Sequence, residues 1–193
     1  MNVAVYCSAK DTIPEEYLLL GDALGEWLAQ NGHNLVYGGA TGGLMSRVSN
    51  AYRRKIDSVR SSETQPTGRI IGVVPNRIVQ TKRKAHNCDT LFMVGTMAER
   101  KQRMRDVADC FVCLPGSYGT LDEMMDVIAS GTVGEHSKPL FVLNYNHFYD
   151  SLLTLSDTMH SLAFLPEQEA YAPVYVETLN ALYEHLQSVK SRR

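Results

Sequence analysis

The residues with the clearest chemical potential lie in Pro115-Gly116-Ser117-Tyr118-Gly119-Thr120-Leu121-Asp122-Glu123. A glycine-rich turn that enters a helix lets the backbone approach a phosphate, and the unpaired N–H groups of the helix start point at it. The Thr120 hydroxyl adds a donor. A second such turn is Tyr37-Gly38-Gly39-Ala40-Thr41-Gly42-Gly43-Leu44-Met45, and a short loop, Cys7-Ser8-Ala9-Lys10, follows the first strand-like run. One glycine-rich turn serves tight packing as readily as ligand binding. Two at neighbouring strand ends point to phosphate. Neither turn is a P-loop, since Gly-Lys-Ser/Thr is missing, and neither carries the G-x-G-x-x-G dinucleotide fingerprint.

Two candidate charges need partners. Thr120-x-x-Glu123 has the form of a capping box, so Glu123 reads either as a helix cap or as a carboxylate free for chemistry. Thr96-x-x-Glu99 has the same form and opens a helix on which Met97, Arg100, Lys101 and Met104 share one broad face. An arginine among methionines needs an anionic or hydrogen-bonding partner if it is covered. Cys110 and Cys113 form a C-x-x-C inside an apolar strand-like run, where positions three apart point to opposite faces. They read as structural thiols. The histidines show no ligand-like spacing, and no metal site is expected.

The elements that must hold these residues alternate along the chain. Strand-like runs are Val3–Cys7, Asn34–Tyr37, Ile70–Val74, Thr90–Val94, Cys110–Leu114 and Leu140–Leu143. Helices are expected over Pro14–Gln30, Gly43–Arg54, Met97–Val107, Thr120–Ser130, Phe148–Met159 and Val176–Val189. The first is opened by Thr12-Ile13-Pro14-Glu15, a capping box with proline near the start, and closed by Asn31-Gly32. Short runs apolar on both faces suit a parallel sheet covered on both sides. The order predicts an α/β fold: a doubly wound, Rossmann-like parallel sheet in a single domain over residues 1–193. Asp57–Gly68 reads as a polar surface loop. Ile78–Asn87 carries Lys82-Arg83-Lys84, either a solvated loop or a flap that reaches an anionic ligand.

At 193 residues, 44% hydrophobic and 21% charged, the chain has the composition of a soluble globular domain. A formal net charge of −2 gives no global attraction to nucleic acid or to an anionic membrane. No apolar run approaches the roughly 18 residues that span a bilayer. The N-terminus reads as a strand rather than a signal peptide, so a cytoplasmic location is expected.

Met97-x-x-Arg100-Lys101, a strand, and Pro115-Gly116-x-x-Gly119-Thr120-x-x-Glu123 together resemble the paired signature of the LOG (Lonely Guy) family, the cytokinin riboside 5′-monophosphate phosphoribohydrolases. Tyr37-Gly38-Gly39…Gly43-Leu44-Met45, Ile71-Gly72-Val73-Val74-Pro75 and His136-x-Lys138-Pro139 support it, over about Val3 to Leu153. The resemblance implies a homodimeric, cofactor-independent hydrolase. Its substrate would be a purine nucleoside 5′-monophosphate, AMP or an N6-prenylated AMP, cleaved at the N-glycosidic bond to free base and ribose 5-phosphate. Arg100 and Glu123 match the family's catalytic pair, and Lys101 and Ser117 through Asp122 (Ser117, Tyr118, Gly119, Thr120, Asp122) match its substrate-binding positions. Gly39, Thr41, Met97 and Gly116 are further candidate contacts. Cleavage builds positive charge on the ribose, which a carboxylate would stabilise or use to orient water, and phosphate binding would supply remote binding energy.

Ser117 stands where the family's loop has its second glycine, and Ala40 and Ser46 replace glycines of the other turn. Lys82 replaces an acidic residue, and Ala129 a threonine, of plant-like members. Two other readings compete: a non-catalytic nucleotide or cofactor carrier resembling the molybdenum cofactor carriers, and a decarboxylase, for which no convincing pyridoxal-phosphate lysine is present.

Overall fold

In the computed structural model, residues 1–60, 68–79 and 87–191 are described. The apolar runs become strands β1 (Asn2–Tyr6), β2 (Asn34–Tyr37), β3 (Ile70–Pro75), β4 (Thr90–Val94), β5 (Cys110–Cys113), β6 (Leu140–Leu143) and β7 (Val174–Val176). They form one seven-stranded sheet in the order β4-β3-β2-β1-β5-β6-β7, with every pairing parallel. Helices α1 (Glu15–Gln30), α2 (Gly43–Arg60), α3 (Asn76–Val79), α4 (Met97–Val107), α5 (Tyr118–Thr132), α6 (Asp150–Ser161) and α7 (Leu179–Ser191) connect or follow them. This is the doubly wound Rossmann-like α/β architecture that the sequence predicts.

Strand alternation divides the core in two. Val3, Val5, Leu35, Tyr37, Cys110 and Val112 face the apolar sides of α1, α2 and α7. Ala4, Tyr6, Val36, Phe111 and Cys113 face Met104 of α4 and Met124 and Val127 of α5. Cys110 and Cys113 therefore lie on opposite faces of β5, and both are buried. Because α1 leaves β1 on one side and α5 leaves β5 on the other, a crevice opens beyond the carboxyl ends of these neighbouring strands. The His136-x-Lys138-Pro139 motif braces that second layer: Lys138 Nζ donates to Arg105 O at 2.6 Å, and His136 Nε2 donates to Val127 O at 3.0 Å.

Several expectations are corrected. Val174–Val176, at the expected start of the last helix, instead adds a short strand beside β6; α7 begins at Leu179, where Thr178 Oγ1 accepts from Ala181 N. Helix α2 runs to Arg60, so the first four residues of the expected surface loop are helical, and residues 61–67 lie outside the described part. Lys82, Arg83 and Lys84 also lie outside it. The capping box at Thr12 does not form: Pro14 occupies the cap position without a side-chain bond, and Glu15 and Glu16 complement the helix dipole. The stop at Asn31-Gly32 is realised, with Gly32 at φ 68°. At α4 the capping box forms, Thr96 Oγ1 accepting from Glu99 N while Glu99 Oε2 accepts from Gly95 N. At α5 it does not, because that helix starts at Tyr118 with Ser117 as its cap, which puts Thr120 inside the helix and releases Glu123 from capping.

His33, next to the start of β2, is wholly buried, its ring 5.4 Å from Trp27, which stacks on Tyr183. Neither ring nitrogen has a hydrogen-bond partner among the described residues. Burial, with help from the N-terminal ammonium and Lys190, pulls its pKa from 6.5 to about 4. The unfolded chain therefore binds more protons at this site below pH 6.5, and stability falls as pH drops towards 4 and levels off beneath it. The full loss is about 3 kcal/mol. Urea unfolding of wild type and His33→Leu should show the gap in their pH dependences opening between pH 6.5 and 4. Parallel curves over that window would count against this account.

Candidate active site

Helices α4 and α5 lie side by side and exchange four ion pairs among the described residues, the longest being Lys101 Nζ to Asp126 Oδ1 at 3.5 Å. Arg100 Nη1 meets Glu123 Oε1 at 2.7 Å, Lys101 Nζ meets Asp122 Oδ1 at 2.7 Å, and Arg105 pairs with Asp126. The first pair differs from the others in being buried, with Arg100 9% and Glu123 6% exposed. Arg100 Nε also donates to Val73 O at 3.3 Å, which ties the guanidinium to β3. The backbone of Gly38 passes so close that a Cβ there would sit 2.3 Å from Arg100 Nη2. That glycine is required by the arginine, not by its own dihedral angles.

The Glu123 carboxylate is close to Arg100 in distance, yet Oε1 has no aligned hydrogen-bond partner. Burial raises its pKa, and the Arg100 charge opposes that rise. Both groups line a cavity of about 230 Å³ at the crevice, together with Met97, Ser117, Gly119 and Thr120. A buried ion pair at a cavity wall is weak evidence for stability, because desolvation offsets its Coulomb energy. A carboxylate with a shifted pKa in a cleft is a functional candidate.

The two glycine-rich turns have opposite fates. At the start of α2, Gly43 N donates to Asp11 Oδ1 at 2.7 Å and Gly42 N to Ser46 Oγ at 2.7 Å. Those amides are spent. At the start of α5, Ser117 makes no side-chain cap and no acid lies in the first turn. Thr120 N and Leu121 N fold back onto Ser117 O, and the earlier amides of the helix have no such partner within α5. Gly116 lets the Thr120 side chain pack beneath the loop, since a Cβ there would lie 2.1 Å from Thr120 Oγ1. Of the two helix starts, that of α5 is the one without a side-chain cap among the described residues.

The structure thus gathers Met97, Arg100, Ser117, Gly119, Thr120 and Glu123 into one cavity. Gly116 and Tyr118 line a separate apolar cavity of about 500 Å³ with Leu121, Phe148 and Leu152. Lys101 and Asp122 are turned to one another, with Lys101 on an outer groove between α4 and α5. Gly39, at φ 67°, packs on Val74, and neither it nor Thr41 lines the Arg100–Glu123 cavity. Ala40, which replaces a family glycine, also lines it, as do Cys7, Ala9, Gly38 and Met45, which were not named as contacts although their loops stand at strand ends where ligands bind. No group of three or more His, Cys, Asp or Glu able to hold a metal occurs among the described residues.

Residues 56–186 match a family model described as "Possible lysine decarboxylase". The chain is 41% identical over 148 residues to the cytokinin riboside 5′-monophosphate phosphoribohydrolase of Mycobacterium marinum, covering 76% of this chain and 73% of that protein. It is 31% identical over 189 residues to cytokinin riboside 5′-monophosphate phosphoribohydrolase LOG5 of Arabidopsis thaliana, covering 98% and 78%. Among solved structures, the molybdenum cofactor carrier protein of Chlamydomonas reinhardtii shares the fold with a TM-score of 0.70 at 16% identity, over 98% of each chain.

Gly38→Ala should push the guanidinium of Arg100 away from Glu123 and so raise the Glu123 pKa further, since Arg100 is what holds it down. Carboxyl carbon NMR of Glu123 across a pH titration reads this directly. An unchanged midpoint in the variant would show that the glycine does not position the arginine.

Proposed function

This chain belongs to the LOG family of cytokinin riboside 5′-monophosphate phosphoribohydrolases, and we propose that it hydrolyses the N-glycosidic bond of AMP or an N6-substituted AMP to free base and ribose 5-phosphate. The observation that carries the reading is the buried Arg100–Glu123 pair beside the uncapped start of α5. A phosphate on the helix start and a carboxylate further along the same helix suit the two ends of a ribose 5-phosphate. Glu123 follows Ser117 by six residues, about 9 Å along the axis, and helical side chains lean back towards the N-terminus.

In this reading the bond from C1′ to the base nitrogen breaks with its electron pair leaving on the base, which takes up a proton. Water adds to C1′ and loses a proton. Positive charge grows on the ribose between these events, and the ionised Glu123 faces it. Burial raises the pKa of that carboxylate, and the Arg100 charge opposes the rise and so favours the ionised form. Met97 and Met45 supply an apolar wall for the base. The lysine decarboxylase description has less support, since no lysine lines this cavity among the described residues.

Incubation with AMP, prenylated AMP, other nucleoside monophosphates and lysine, followed by chromatography, should release free base from a purine monophosphate and no carbon dioxide from lysine. Glu123→Gln should lower kcat by about 10²- to 10³-fold, the range for removing a group that stabilises transition-state charge. Base release that survives in that variant sinks the mechanism. Activity should also fall as pH drops through the raised pKa of Glu123, so the acidic limb of kcat/KM should lie above the ordinary carboxylate range of about 4. A limb at or below that range would contradict the assigned role.

A further inference from the structure

The segment His136-Ser137-Lys138 joins α5 to β6, at the opposite end of α5 from the cavity. Neither His136 nor Lys138 lines that cavity, yet between them they bind main-chain oxygens of both helices that carry the Arg100–Glu123 pair. Lys138 Nζ reaches the last turn of α4, donating to Arg105 O at 2.6 Å and to Asp106 O at 3.3 Å. A cation at that position also complements the helix dipole. His136 Nε2 donates to Val127 O of α5 at 3.0 Å, while its Nδ1 accepts from Lys138 N at 3.3 Å. The two contacts together select the neutral Nε2–H tautomer.

One residue from much further along the chain closes the arrangement. Tyr171 is buried, its hydroxyl donates to Lys138 O at 2.7 Å, and its ring meets His136 edge-on at 5.0 Å. That ring lies on Gly131 of α5, where a Cβ would come within 2.4 Å of Tyr171 Cγ. The effect reaches the pair through short stretches of helix. Arg100 lies five residues before Arg105, and Glu123 lies four residues, about one turn, before Val127. Close-packed elements transmit a displacement over such a distance. The ion pairs Lys101–Asp122 and Arg105–Asp126 join side chain to side chain, whereas His136 and Lys138 grip the main chain of each helix.

We propose that His136, Lys138 and Tyr171 are positioning residues for the hydrolysis, a clip outside the cavity that sets the register of α4 on α5 and with it the 2.7 Å contact between Arg100 and Glu123. This rests on the hydrolase reading for the reaction that the contact serves. Glu123 also feels Lys101 of α4 and its neighbour Asp122, which are paired with each other. The Tyr6 phenol and the Cys7 and Cys113 thiols, near it at the ends of β1 and β5, are kept neutral by burial. Arg100 is the charge that acts most on Glu123, so loosening the clip raises the Glu123 pKa.

The test compares Lys138→Met, Lys138→Arg, His136→Phe and Tyr171→Phe with wild type in two measurements. One is the carboxyl carbon NMR titration of Glu123, and the other is kcat and KM for AMP hydrolysis. Lys138→Met should raise the Glu123 midpoint and lower kcat about ten- to a hundredfold, the cost of a misplacement of about 1 Å, with KM changed by less than about twofold. His136→Phe keeps a ring against Tyr171 but loses the bond to Val127 O, and should move both readouts the same way. Tyr171→Phe loses only the bond to Lys138 O and should give a smaller shift in that direction. Lys138→Arg restores a donor to the α4 carbonyls and should return both readouts towards wild type. A lysine that merely stabilises the fold would lower the melting temperature and leave the midpoint and kcat unchanged, and that result in Lys138→Met overturns the proposal. Should Lys138→Met not fold, wild-type midpoints in both His136→Phe and Tyr171→Phe overturn it instead. If wild type releases no base yet the midpoint moves in these variants, only the hydrolase reading fails. If base is released and every variant keeps the wild-type midpoint and kcat, only this inference fails.

Discussion

The structure turns on one contact, the buried ion pair between Arg100 on α4 and Glu123 on α5. Taking two charges out of water is expensive, and a single ion-pair contact in which Oε1 makes no aligned hydrogen bond does not recover that cost by itself. The surrounding fold holds the pair anyway. Arg105–Asp126 and Lys101–Asp122 lock the same two helices at more exposed positions, and Lys138 and His136 anchor their carbonyls to the strand that follows. Gly38 and Val73 fix the guanidinium from the sheet side. The site is thus carried on rigid elements, with its charges placed before any ligand arrives.

The fold was legible in the sequence because strand burial on two faces leaves short, continuous apolar runs such as Cys110–Leu114. β7 was not. Three residues carry too little periodicity to separate a strand from the first turn of a helix, and Val174–Val176 is fixed by pairing with β6, a tertiary fact. The start of α5 was misplaced for a different reason. Thr120 and Glu123 have a cap's spacing, but Ser117 O already receives the amides of Thr120 and Leu121, so the helix begins a turn earlier.

Arg100 and Glu123 could be named from the family resemblance, whereas their mutual contact is a matter of three-dimensional placement. Gly38 shows the limit most plainly. In the sequence it is one of several glycines in a turn, and its particular duty, leaving room for an arginine 62 positions further on, is invisible until both are placed.

Asp11 carries a consequence of another kind. By seating its carboxylate on Gly43 N, it acts as a built-in stand-in for a ligand's anion at the first glycine-rich turn. The crevice is left with one vacant anion seat instead of two. An anion reaching the start of α2 would have to displace Asp11, a residue of the chain itself. One aspartate thereby closes, from within the chain, the helix start at which an anion would otherwise sit.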